Sequence, residues 1–435
     1  MPLAAPGMPL KRLLADENAL RSMSDLSKIT TRAWLVVALL WPVACLNYLD
    51  RLMITTMRDS IKAEIAMTDA QFGLLTSVFL WVYALLSPSA GYLADRFSRG
   101  KVIVGSLFVW SAVTWLTAHA QDFNQLLLAR ALMGVSEACY IPAALALITD
   151  YHRGPTRSLA TGLHMSGLYA GAALGGLGGV LAEHFRWQSA FNLFGIIGIV
   201  YSVVLILTLK ETPVAAAEAR PAGGKPEEKP SLSAALGYLF RQPSFWALVS
   251  YFGLLSIANW AIYGWLPTYM GQQFKLGQGA AGMSATAYIQ AASLAGVLIG
   301  GVWADRWCRG NLRARVFVPA IGFCAAAPAL YLSASTSALT VAVAGLLVFG
   351  LARGFGDANN MPVLCQIAPA RYRATGYGVL NLVACVLGGA MTYVAGALKD
   401  ANVGLEKVFQ CCAGGLVLAV LALLLVKPRK ELENA

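Results

Sequence analysis

Apolar residues come in long blocks separated by short polar stretches along almost the whole chain. Twelve blocks can be drawn, at about 34–56, 71–93, 102–120, 124–149, 158–181, 189–209, 243–270, 281–303, 315–333, 338–366, 374–397 and 407–426. A helix needs roughly 20 mostly apolar residues to cross a bilayer, and each block is near or above that length. The pattern predicts an all-α membrane protein with twelve transmembrane helices. One polar stretch is longer than the others. From Lys210 to Arg241 the chain is rich in Glu, Lys, Pro and Ala, a composition that cannot bury a core and reads as a solvated linker. The predicted division is a tail over 1–33, a six-helix half over 34–209, a linker over 210–242, a second six-helix half over 243–426 and a tail over 427–435.

Composition agrees with this division. The chain is 57% hydrophobic and only 13% charged, where a soluble domain carries about 25% charged residues. The net charge of +11 raises a nucleic-acid reading, which the placement of the charges removes. Of the 33 Lys and Arg residues, Arg51, Arg130 and Arg353 fall inside apolar blocks, and Arg58, Lys62, Arg186, Lys275, Lys399 and Lys407 fall in one set of alternate loops. The rest lie in the tails, the linker and the other set of loops. This is the positive-inside bias, which puts the tails and linker on the cytoplasmic side. The polar start of the chain, through Arg32, has no short apolar core before a small-residue cleavage site, so the first block reads as a true span. The eight cysteines sit mostly within apolar blocks without zinc-ligand spacing and read as small packing residues.

The two halves repeat each other. Gly91–Gly100 (GYLADRFSRG) follows the second block and Gly301–Gly310 (GVWADRWCRG) follows the eighth, with six of ten positions identical. Gly134–Pro142 (GVSEACYIP) and Gly354–Pro362 (GFGDANNMP) share the pattern G-x-x-acid-A-x-x-x-P in the fourth and tenth blocks. Two pseudo-symmetric six-helix bundles with a path between them are the arrangement this repeat favours.

The loop motif at Gly91–Lys101 resembles the loop signature of the major facilitator superfamily, with Ser98 where that pattern usually has Gly. The resemblance covers nearly the whole chain and implies the major facilitator fold. It implies that Gly91, Asp95, Arg96 and Arg99, and more weakly Asp305, Arg306 and Arg309, form a conformational motif bracing the two bundles. At the subfamily level, Asn47–Arg51 (NYLDR), Arg130 and Gly134–Glu137 resemble the anion:cation symporter branch, which carries sugar acids and other organic anions with protons. The same residues also resemble spinster-like carriers, and Pro88–Phe97 (PSAGYLADRF) leans that way. Both remain open at this point.

Ionisable groups inside a span cost about 2.5–3.5 kcal/mol on insertion scales, so those retained are functional candidates. Asp50 and Glu137 are the proton-coupling candidates, because burial and a nearby cation oppose each other on a carboxylate and can bring its protonation near physiological pH. The resembled symporters use the matching positions this way. Arg51 and Arg130 keep their charge and can hold a carboxylate through two parallel hydrogen bonds, which makes them substrate-binding candidates. Arg130 and Glu137 are seven residues apart, close to two turns, and face the same way. All four are expected to share one hydrated pocket. Further candidates for a substrate site are Asn47, Tyr48, Tyr83, Tyr140, His164, Asn259, Tyr263, Gln290, Asn359, Asn360 and Asn381, with Tyr169, Trp260 and Tyr288 as additional aromatic groups in spans. Arg353 and Asp357, one turn apart, form a possible charge pair in the second half. The glycine-rich run Gly171–Gly179, with Gly388, Gly389 and Gly396, suits close helix approach.

No Walker motif, zinc pattern or nucleophile elbow occurs, which argues against an enzyme. The expected activity is proton-coupled symport of a small organic anion by alternating access. A spinster-like carrier of lysophospholipid or another amphiphile is the alternative within the fold, and a non-transporting receptor on a transporter fold is the alternative outside it. The expected partners are an anionic small molecule, protons and the lipid bilayer. The proton gradient stands in place of a cofactor, no metal is expected, and a monomer in a bacterial inner membrane is the expected setting.

Overall fold

The computed structural model describes residues 10–152, 156–209 and 232–429. Twelve helices are long and apolar enough to cross a membrane: Thr31–Thr56, Asp69–Ser89, Arg99–Thr117, Phe123–Tyr151, Leu159–His184, Trp187–Thr208, Pro243–Phe274, Gln278–Cys308, Ala314–Ser335, Leu339–Cys365, Arg371–Asp400 and Leu405–Leu424. They are called spans one to twelve below. Each corresponds to one apolar block of the sequence.

Two differences fall in the segments read as polar. The first helix starts at Leu10, so much of the expected tail continues the helix of span one. Within the expected linker, Leu232–Phe240 is helical and buries Ala235 and Leu239; residues 210–231 lie outside the described residues. A third difference is that two spans are broken. Span four divides into Phe123–Glu137 and Tyr140–Tyr151. Pro142 explains the break, since its ring has no N–H and clashes with the carbonyl four residues earlier, at Ala138. Glu137 is thereby the last residue before a kink. Span five divides at Gly175–Gly176, inside its glycine run.

Spans one to six pack as one bundle, and spans seven to twelve as another. Across the interface span two lies along span eleven, and span five along span eight. Small residues allow this approach. A Cβ added at Gly179 would sit 2.7 Å from the Gln278 carbonyl oxygen, and one at Gly176 would meet Met283 at 2.8 Å.

The polar bonds between bundles concentrate at the end away from the linker, called the far end. There, the N–H groups of Asp69 and Ala70 at the start of span two donate to the two carboxylate oxygens of Asp400, each at 2.8 Å. Asp400 closes span eleven. In the pseudo-symmetric position, the N–H of Gly279 at the start of span eight donates to Glu183 at 2.5 Å, near the close of span five. Each bundle therefore caps a helix N-terminus of the other with a carboxylate, satisfying orphan N–H groups and meeting the positive end of the helix dipole. Lys399 of span eleven pairs with Asp69 at 3.3 Å, and Lys62 does so at 2.6 Å. Ser60 donates to Gln278 through its N–H at 3.2 Å and its hydroxyl at 3.0 Å.

Toward the linker the bundles part. The stripe on span two that faces span eleven runs through Ser77, which donates to the Gly389 carbonyl at 2.6 Å, and Trp81, which donates to the Val386 carbonyl at 3.1 Å. One turn further along the same stripes, Leu85 is 74% exposed and Leu382 is 41% exposed. Polar bonds link the bundles at the far end, and on the linker side of Trp81 these two stripes carry exposed leucines.

The two carboxylate caps generate a prediction. An N-cap is worth about 1 kcal/mol, so replacing Glu183 and Asp400 together by alanine should cost the closed far end about 2 kcal/mol. Spin labels at Gln121 and Ser337, exposed on opposite bundles at the far end, should then show an added population at longer distance. An unchanged distance distribution would mean that the caps do not hold this end shut.

Candidate functional site

The first cluster forms where span four kinks against span one. Arg51 donates through Nε to Glu137 Oε2 at 2.7 Å, and Asn47, one turn earlier, donates to the same oxygen at 2.9 Å. Arg51 is 5% exposed and Glu137 is fully buried. The guanidinium lies 4.6 Å from the Tyr83 ring centroid, 4.9 Å from that of Tyr48 and 5.1 Å from that of Phe79. These rings supply negative faces in place of water. The pair leaves bonding capacity unused. Arg51 Nη2, Glu137 Oε1 and Asn47 Oδ1 are buried without partners.

Asp50 occupies another face of span one from Arg51, because adjacent helical residues project about 100° apart, and Arg130 of span four packs against the span-one backbone there. Asp50 accepts from Thr114 of span three at 3.2 Å and has its other oxygen unpartnered. Arg130 is fully buried. It reaches the carbonyls of Asp50, Leu75 and Arg51 at 3.3, 3.4 and 3.5 Å, and lies 4.9 Å from the Phe79 ring. The four charged residues are contiguous, as the sequence led one to expect. All four are buried in this state. Arg130 holds backbone carbonyls of spans one and two rather than a carboxylate, and the Tyr48 and Tyr83 rings flank the Arg51 guanidinium.

A second cluster sits across the bundle interface. Arg353 in span ten pairs with Asp357 at 3.6 Å. It donates to Gln290 at 3.2 Å and lies near Ser293 Oγ at 3.4 Å, both in span eight. Gln290 in turn donates to the Tyr263 hydroxyl at 3.0 Å. The Arg353 guanidinium is 5.0 Å from the Tyr263 ring and 5.6 Å from the Tyr169 ring. Tyr169 belongs to the other bundle, and its hydroxyl donates to Asp357 at 2.9 Å. Tyr48 and Trp260 pack with Tyr263, Leu52 and Ala172, joining the two clusters through a wall of aromatic rings.

The remaining candidates divide. Asn259, Asn360 and Asn381 are half-buried in spans seven, ten and eleven. Asn259 Oδ1 is unpartnered, and Asn381 accepts a long bond from the Cys385 thiol at 3.9 Å. Tyr140, His164 and Asn359 are turned into their bundles. Tyr140 donates to the Leu40 carbonyl at 3.0 Å and packs edge-on with Trp110. His164 is fully buried with neither ring nitrogen partnered, and Asn359 spends its amide on the Phe355 carbonyl of its own helix. Tyr288 is 47% exposed. In the loop motif, Arg99 pairs with Asp150 and donates to the Ala146 carbonyl at 3.2 Å, both in its own bundle. Asp305 pairs with Arg315 at 3.0 Å, again within one bundle. Arg96, Arg306 and Arg309 are exposed at the linker end, and the surroundings of Gly91 and the side chain of Asp95 lie outside what the structure describes.

Thr114, Ser293 and the capping acids Glu183 and Asp400 were not singled out in the sequence. Thr114 and Ser293 are ordinary small polar residues in spans and give no signal alone. Glu183 and Asp400 could have been found, since both are acids closing matching spans of the repeat.

Breaking a buried ion pair by removing one member costs about 3–5 kcal/mol, whereas replacing both members by apolar groups can be neutral. Glu137→Ala should therefore lower the thermal unfolding temperature of the purified protein markedly. Arg51→Met with Glu137→Met should recover most of that loss. Additive losses would show that the two side chains do not depend on each other.

The profile of the Major Facilitator Superfamily matches residues 40–393. The chain is similar to protein spinster homolog 1 of Xenopus tropicalis, at 29% identity, with 92% of this chain and 82% of that protein covered. It is also similar to an MFS-type efflux pump of Mycolicibacterium smegmatis, at 27% identity with 85% of each covered. Among solved structures it resembles a bacterial homolog to the human lysosomal transporter spinster, in an inward-facing and unoccupied conformation. That likeness has a TM-score of 0.71 at 23% identity, covering 91% of this chain and 95% of the other, and bears on the fold alone. Fold and relatives are those of membrane transporters rather than enzymes. With the profile spanning most of its length, the chain belongs to the Major Facilitator Superfamily.

Proposed function

We propose that this transporter is a secondary active carrier that moves an amphiphilic organic anion together with protons, with Glu137 as the principal proton site. The observation that carries the reading is the buried Arg51–Glu137 pair with spare bonding capacity on both members. A carboxylate can be neutralised by one proton, while a guanidinium stays charged. While Glu137 is ionised, it satisfies Arg51. When Glu137 takes a proton, the cation beneath the Tyr48 and Tyr83 rings loses its counter-charge and favours entry of an anion. Proton and anion are thus drawn into the same state, which is the requirement for symport. Asp50 is a second acid beside this pair, and Arg130 fixes the backbone between them.

Two features support an amphiphile over a compact sugar acid. The interface is walled by aromatic rings rather than by hydroxyl and amide groups alone. The parting of spans two and eleven exposes Leu85 and Leu382, which offers an apolar side entrance from the lipid. Similarity to spinster proteins over most of the chain is in keeping with this choice. The charge bias favours a cytoplasmic linker and termini, and on that reading the described state is open inward. Alternating access then exchanges the far-end closure for closure at the linker end, where Asp95, Arg96 and Arg99 would brace the bundles.

The test is transport into proteoliposomes with and without an inward proton gradient, using a fluorescent single-chain phosphate monoester and, separately, gluconate. Gradient-driven accumulation of the first is expected. Glu137→Gln should abolish that accumulation and leave part of the exchange activity. Undiminished accumulation in Glu137→Gln would remove Glu137 from the coupling step. Accumulation of gluconate alone would return the substrate class to sugar acids.

A further inference from the structure

The internal repeat puts Asp357 where the first half has Glu137, yet the two acids are held differently. Glu137 is fully buried and tied by a short bond to an arginine of another helix. The Asp357 side chain is 30% exposed, and its arginine is one turn away on the same helix at 3.6 Å, too long for a direct hydrogen bond. Arg353 is nonetheless rigidly placed. Gln290 and Ser293 fix one edge of its guanidinium, and the Tyr263 and Tyr169 rings flank it. A planar cation held in a fork at the bundle interface, with only a loose carboxylate partner, suits a planar or tetrahedral oxyanion. The carboxylate of Asp357 in turn accepts from Tyr169 of the opposite bundle at 2.9 Å.

We propose that Arg353 is the anchor for the anionic headgroup of the substrate, and that Asp357 is a tethered stand-in for that headgroup in its absence. This rests on the reading of the protein as a carrier of anionic amphiphiles, and it assigns the headgroup to the second half of the molecule. An arriving phosphate or carboxylate displaces Asp357 from Arg353 and competes with it for the Tyr169 hydroxyl. The bond from Tyr169 to Asp357 joins the bundles, so headgroup binding exchanges a protein–protein link for a link through the substrate. Headgroups that carry their own cation gain less, because they meet Arg353 with their charge already partly compensated. The pocket should therefore prefer a terminal phosphate to the same phosphate esterified with choline.

The experiment measures binding to the purified full-length protein in lipid nanodiscs. The probes are a fluorescent lysophosphatidic acid and its choline ester with the same chain. The wild type should bind the phosphate monoester at least about tenfold more tightly than the choline ester, the scale set by a charge-assisted, bidentate contact. Arg353→Gln should erase that preference. Asp357→Asn should tighten binding of the monoester several-fold, because it removes the internal competitor, a gain that a merely structural ion pair would not give. Weaker binding in Asp357→Asn, or a preference that survives in Arg353→Gln, overturns the anchor. Should Arg353→Gln fail to fold, Asp357→Asn still decides the outcome. If the wild type binds neither probe, the amphiphile reading falls with it. If the Glu137→Gln transport result holds while the Arg353→Gln preference is unchanged, only the anchor falls.

Discussion

A guanidinium held between helices inside a membrane cannot discharge itself, so everything around Arg51 is arranged to keep it company. The group is buried, Glu137 supplies the counter-charge, and three aromatic faces surround the rest of it. The arrangement needs span four to end its first helical segment at Glu137, which Pro142 brings about by breaking the helix just beyond. It also needs the neighbouring backbone held, which Arg130 does by gathering the carbonyls of Asp50, Leu75 and Arg51. Of the charges involved, only those on acids can be cancelled by a proton. On the proposed reading the cluster therefore has two settings, and the choice between them is open to pH.

The two halves use one repeated plan with different settings. Glu137 and Asp357 occupy matching positions, one sealed in its bundle and one partly open at the interface. Glu183 and Asp400 also match, each capping the start of a helix in the opposite bundle. These caps are exposed to solvent, so the closure they provide is modest. Between the caps and the linker, glycines on span five let it lie close to span eight, and the hydroxyl of Ser77 and the indole of Trp81 tie span two to span eleven. Beyond Trp81 the same stripes carry leucines with no bond across the gap among the described residues.

Much of this was legible in the sequence, and the rest was not, for identifiable reasons. All twelve spans could be drawn because their apolar length is dictated by the bilayer, and the loop and acid motifs gave the two-bundle plan. The continuation of span one back to Leu10 was hidden because a polar helix has no apolar block to reveal it. The break at Ala138 was signalled by Pro142 but cannot be told from a simple bend without coordinates. Spacing placed Arg130 and Glu137 on one face, yet it could not say that Arg130 would bind carbonyls. Tyr140 and His164 looked like cavity residues because they are polar in apolar surroundings, and they proved to pack inside the bundle instead. Arg353 and Asp357 were visible as a pair one turn apart, and Tyr169 and Tyr263 as aromatic candidates, but nothing in the sequence joined these rings from distant spans to Arg353.

The central claim is that the charge of Glu137 governs whether the Arg51 cation is left uncompensated and so draws an anion between the bundles. It is tested most directly by counting protons exchanged on ligand binding. The ligand is a single-chain alkyl sulfonate, whose headgroup does not titrate, added to the protein in weakly buffered nanodiscs with a pH-sensitive dye. Binding should be accompanied by proton uptake from solution, and that uptake should vanish in Glu137→Gln while binding persists. Proton uptake of the same size in Glu137→Gln would contradict the account.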